Sequence, residues 1–207
     1  MKYDKIYKSM LPKIIFKYSH IYDQNWQTWF KVYKKSSQKF SPRKVQSYMK
    51  AAEKVWRKYE KIILQELPRI IKLKWKEKKI ICYVVGDCRP FSDPLTLPVY
   101  EDKGLFIDVL IHELIHQLFS QGGNYKKAKK AWGHIYRKYK NESRLTRIHI
   151  PLHAIHWHVY KKIFNEKRLN RNINRSIPYP DYKRAWEIVE KGGYENVIKE
   201  FSSRIIK

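Results

Sequence analysis

Residues 105–120 read Leu105-Phe-Ile-Asp108-Val-Leu-Ile-His112-Glu113-Leu-Ile-His116-Gln-Leu-Phe-Ser120. Apolar residues stand at 105–107, 109–111, 114, 115, 118 and 119. That density predicts a helix buried on most of its sides. The Gly122-Gly123 pair just beyond it is a helix stop. Within the apolar run sit His112, Glu113 and His116, groups that are costly to bury without partners. On a helix, residues four apart lie about 40° apart around the axis and about 6 Å along it. Two imidazoles so placed can share one metal ion. Glu113 lies about 100° round from His112, beside such an ion rather than on it. The competing reading is two core histidines satisfied by backbone or carboxylate groups.

The H-E-x-x-H spacing predicts one zinc ion as cofactor, with His112 and His116 as ligands and Glu113 as general base. Zinc lowers the pKa of a bound water towards ~7, and the carboxylate shuttles the proton to the leaving amine. A catalytic zinc needs a third protein ligand and keeps one position open. The stretch 142–158 holds the candidates: Glu142, His149, His153 and His156 fall on one helical face, and His158 points away. His153, in the middle of the stripe, is the first choice, with Glu142 and His149 as alternatives. Pro151 can kink this helix, so the choice between His149 and His153 stays open. Those not on the metal, His149 and His156 among them, can orient a ligand or stabilise an oxyanion. Asp108, one turn before His112, is read either as a further orienting group or as an acid favouring the first helical turn.

Working outward, Ile80–Val85 is a β-branched run that predicts a strand. Leu95 to Tyr100 reads as a second strand, at the sheet edge because of Pro98. Trp26, Trp29 and Tyr33 fit a short amphipathic helix, and 36–42 reads as a loop. Ser41-Pro42 is a helix start, and apolar residues from Val45 to Leu67 predict one long helix to about Glu66, ended before Pro68. Helices are also expected over 124–139, 142–164, 181–191 and 194–206. The fold class is α+β: mostly helical, a small antiparallel or mixed sheet before the H-E-x-x-H helix, and a long N-terminal helix. Residues 1–75 are expected to form an N-terminal helical region packing on the core, and 76–207 the domain that carries the motif and its catalysis, in one compact unit.

The 207 residues carry 45 Lys+Arg against 19 Asp+Glu, a formal net charge of +26. At 43% hydrophobic residues the chain is too apolar to be a disordered basic tail. No apolar run is long enough to span a membrane, and the first residues lack a signal-peptide apolar block. Cys82 and Cys88 alone make neither a disulfide scaffold nor a cysteine-rich zinc site, and a reduced cytoplasm is the expected location. The charge has two readings, a polyanionic partner such as nucleic acid, or a lysine-rich solvated surface. Seven Lys/Arg and no acid between Lys126 and Lys140 sharpen both.

A strand, an edge strand and then an H-E-x-x-H helix resemble the zincin metallopeptidases, over about residues 80–160. The resemblance implies a peptide or protein substrate held by strand addition along Leu95, Thr96 and Leu97. It assigns zinc to His112 and His116, and the proton transfer to Glu113. Gluzincins take a later Glu as third ligand, which would be Glu142, but the acid they carry four residues further on is Thr146 here. The metzincin extension is absent, since 117–123 reads QLFSQGG. SprT-like proteases pair the motif with a later His and act on DNA-bound proteins, which the basic charge parallels. The alternative function is a basic nucleic-acid-binding protein without catalysis.

Overall fold

The computed structural model describes residues 11–34 and 40–206. Most of the loop expected at 36–42 lies outside them. The chain divides into two compact units, one of residues 11–61 and 77–117 and the other of 62–76 and 118–206. The architecture is α+β, mostly helical with one small mixed sheet. Among the described residues no helix is long and apolar enough to cross a membrane.

The first unit carries the sheet, in the order β1-β2-β4-β3. Its strands are β1 (Lys13–Lys17), β2 (Lys79–Val85), β3 (Phe91–Ser92) and β4 (Leu95–Pro98). β1 and β4 both run parallel to β2, while β3 pairs antiparallel with β4. The strand expected at Ile80–Val85 is thus present, but β4 is not the edge over its first half. Leu95 and Thr96 pair with Ser92 and Phe91, Thr96 pairs also with Tyr83, and Leu97 pairs with Val84. Pro98 is tolerated because Val99 N, not residue 98, donates to Val85 O (3.0 Å).

β1 is one true edge. Its Ile14 N–H donates to Glu60 (3.2 Å) and its Ile14 carbonyl accepts from Arg57 (3.0 Å), so two side chains cap backbone that would otherwise be open. Arg57 and Glu60 flank the break in the helix expected from Ser41 to Glu66. That expectation is corrected: α2 spans Pro42–Arg57 and α3 spans Glu60–Ile71. α2 begins as expected, with the Ser41 hydroxyl accepting from Lys44 N. α1 (His20–Lys34) lies before it and buries Asp23, whose carboxylate accepts from Gly86 N (2.8 Å). A Cβ on Gly86 would sit 3.1 Å from the Phe40 side chain, so any larger residue there makes that side chain give by a few tenths of an ångström.

Pro68 does not end α3; it lies inside it. A proline there removes the N–H that would bond to Leu64 O. The buried Trp75 indole supplies the missing donor at 2.8 Å. Trp75→Phe leaves that buried carbonyl without its partner and is expected to cost about 1–3 kcal/mol. Urea denaturation checks this, and an unchanged midpoint would remove the indole from the account of why Pro68 is tolerated.

The second unit is helical. α4 (Lys103–Ser120) begins in the first unit and is closed by Gly122 and Gly123, both at positive φ. Asn124, fully buried, donates to Leu118 O (2.7 Å) and Lys74 O (2.9 Å), satisfying a carbonyl of the last turn of α4. Then come α5 (Asn124–Lys138), α6 (Arg144–Ile163), α7 (Glu166–Ser176), α8 (Pro180–Gly192) and α9 (Tyr194–Ser202). Ala154 and Ala185 let α6 and α8 approach closely, with Ile150, Val189 and Val197 filling the contact. Glu66, only 6% exposed, takes bonds from His158 (2.7 Å), Lys162 (2.8 Å) and Arg69 (2.9 Å). Burial alone would raise its pKa, but these three donors outweigh it and hold the carboxyl well below the usual carboxylate range.

Candidate metal centre

His112, Glu113 and His116 project from the middle of α4. Around them Leu110, Ile111, Leu114, Ile115 and Leu118 are buried, so packing fixes the helix's rotation. The His112 and His116 rings stand 5.0 Å apart between centroids, at 68°. Both are half-buried, whereas Glu113 is 6% exposed. Burial pushes the Glu113 carboxyl up to about 8, against the opposing pull of the Arg89 guanidinium. A base near neutral pH at this position therefore needs further positive charge beside it.

His112, His116 and His149 each offer one ring nitrogen, and these atoms all lie within 4.8 Å of one another. The three residues form a group that could hold a metal ion. His149 is the third member, not His153. It is 3% exposed on α6, and its Nδ1 lies 2.8 Å from Leu145 O. A carbonyl only accepts, so Nδ1 carries the proton and Nε2 holds the lone pair. Burial lowers the His149 pKa, outweighing that hydrogen bond and Asp181, and so favours the neutral ring that binds metals. Tyr182 of α8 packs against His149 with centroids 4.3 Å apart.

The other residues of the stripe are placed differently. His153 stacks on Trp186 (4.1 Å, 12°), and His156 sits edge-on to Tyr160. Both are buried within the helical unit. Glu142 accepts two bonds from Arg184 at one oxygen (3.0 and 2.8 Å) and does not belong to the group of three histidines. Asp108 is buried one turn before His112. Cys82 and Cys88 are buried free thiols, both raised by burial, and neither belongs to the metal group. The strand-addition site expected at Leu95, Thr96 and Leu97 is corrected: all three are buried, and β3 covers the first two. Sequence reading missed Tyr182 and Arg89, because no spacing pattern ties a residue of α8 or of the β2–β3 loop to the motif.

Against known proteins, no family model, no curated protein and no solved structure matches this chain.

Proposed function

We propose that this chain is a zinc-dependent peptidase whose ion is held by His112, His116 and His149, with Glu113 as the general base. The carrying observation is the group of three imidazoles whose nitrogens lie within 4.8 Å of one another, with a buried carboxylate next to one of them in sequence. The donor set fits the ion: three histidines and no thiolate are the ligands of an open catalytic zinc rather than a closed structural one. When bound, zinc supplies Lewis acidity, acidifying a water and polarising a carbonyl oxygen.

The chain's own residues do the rest. A Glu113 carboxylate oxygen takes a proton from the attacking water and delivers it to the leaving amine nitrogen. With Arg89 alone beside it the carboxyl stays at about 8, so its work as a base at neutral pH calls for the added positive charge that a bound ion would supply. The Leu145 carbonyl holds the His149 ring in the tautomer that presents Nε2. Tyr182 and the packing of α6 on α8 keep that ring from turning away. The test is hydrolysis of an unstructured protein substrate by the purified chain. Activity is expected to vanish with a chelator and return with zinc. Activity indifferent to the chelator would refute the reading.

A further inference from the structure

Gly133 stands where the fold does not ask for a glycine. It lies inside α5, and a helix interior disfavours glycine, which has more backbone freedom to lose than any other residue. Its backbone is ordinary right-handed helix, unlike Gly122, Gly123 and Gly193, which lie at positive φ. A Cβ there would meet only the tip of the Arg137 guanidinium, at an ordinary contact distance of 3.4 Å. Around the helix axis Lys126, Lys130, Gly133 and Arg137 fall within about 60° of one another. They lie opposite the buried Ala128, Ala131 and Ile135. Lys129 flanks the row, and all four cations are exposed. The Glu200 carboxylate takes His134 (3.0 Å) and Lys138 (2.6 Å), which lie on the other flank, so this acid neutralises one side of α5 and not the row. The larger rings of α5 turn away from the row. Trp132 packs on Phe119 (5.1 Å) and Phe201 (4.9 Å), and the Arg147 guanidinium lies over Tyr136 (4.7 Å).

We propose that the row Lys126–Lys130–Gly133–Arg137, with Lys129 beside it, is a docking face for the phosphate backbone of a nucleic-acid duplex. The cations contact phosphates, and Gly133 leaves the helix backbone bare so that the sugar–phosphate chain can come close against it. The row is about 16 Å long, and a duplex carries one charge per about 1.7 Å of its axis. The occupant follows from what the face holds and lacks. A straight, rigid row of positive charge matches a straight, rigid polyanion. A single strand is held largely by rings on which its bases stack, and this row presents none. Tyr125, 63% exposed, stands in the first turn about 100° round from Lys126. An anionic membrane would need apolar side chains to insert, and a protein partner would need an apolar or aromatic anchor; the row offers neither.

The experiment uses the full chain as purified and reads binding alone, so its result does not depend on hydrolysis and the two readings fail separately. A short labelled DNA duplex is titrated across a salt series, beside one of its single strands, phosphatidylserine vesicles and polyglutamate. The duplex is expected to bind most tightly, with affinity falling steeply as salt rises. Lys126→Gln/Lys130→Gln/Arg137→Gln should weaken binding and make the log–log salt slope shallower by about 2–3. Lys167→Gln/Arg175→Gln/Lys191→Gln removes the same charge from exposed positions of α7 and α8, and should do less. Gly133→Gln should raise the melting temperature, because glutamine suits a helix better, yet weaken duplex binding severalfold with the slope unchanged. That variant reads the face through a protein that is more stable than the wild type, so loss of fold cannot imitate the result. The proposal is overturned if the wild-type chain does not bind duplex, if the α5 triple variant keeps its slope, or if the control triple loses as much. It is equally overturned if Gly133→Gln leaves duplex affinity unchanged, or if single strand, vesicle or polyglutamate binds more tightly.

Discussion

Glu113→Gln is expected to lower the rate of peptide hydrolysis by about 10²–10⁴-fold while zinc content stays at the wild-type level. The amide keeps the size and shape of the carboxylate, so the 6% exposed site stays filled and α4 keeps its packing. It cannot take a proton from water at any pH of interest. A uniform loss of kcat with little change in KM marks a group that acts in the transition state rather than in binding. Glu113→Gln with full activity would move the proton transfer elsewhere and leave the buried carboxyl unexplained.

His149→Ala and His153→Ala are expected to separate cleanly, although both residues lie on α6 and both are buried. Loss of His149 removes a ligand, and zinc affinity should fall by more than the ~10–100-fold typical of an outer partner. Loss of His153 removes a stacking contact with Trp186 and should leave zinc affinity in place. Thermal melts of both variants in chelator control for folding. Zinc binding lost with His153 and kept with His149 would reverse the ligand assignment.

How much of this was legible in the sequence depended on whether the deciding interaction was local. The motif helix, its Gly122-Gly123 stop and the Ser41-Pro42 start are set by periodicity, capping and glycine within a turn or two. Beside the split between α2 and α3, Arg57 reaches the Ile14 carbonyl, 43 residues away, and no helical pattern announces that contact. Pro68 sits inside a helix because Trp75 replaces its missing donor. β1 is five residues flanked by lysines, too short for alternation to stand out. α7 carries only two inward apolar residues among asparagines and arginines, which weakens its helical signal.

The candidate site divides the same way. His112, Glu113 and His116 are close through their own helix, so spacing alone brings them together. The third histidine is a choice between two rings one turn apart on one stripe. What separates them is their surroundings: Trp186 stacks on His153, whereas Tyr182 packs on His149, whose Nδ1 bonds the Leu145 carbonyl one turn earlier. The sheet tells a similar story. Pro98 predicts an edge strand, yet Thr96 is paired on both sides, and the two residues of β3 that cover Leu95 and Thr96 give no signal of their own.

The most direct test is the number of zinc ions per chain, measured by elemental analysis on protein purified without a metal-binding tag and equilibrated with zinc. The account predicts one zinc per chain, lost in His112→Ala/His116→Ala and again in His149→Ala. Absence of stoichiometric zinc in the wild-type protein, or zinc retained undiminished in the double variant, would contradict it.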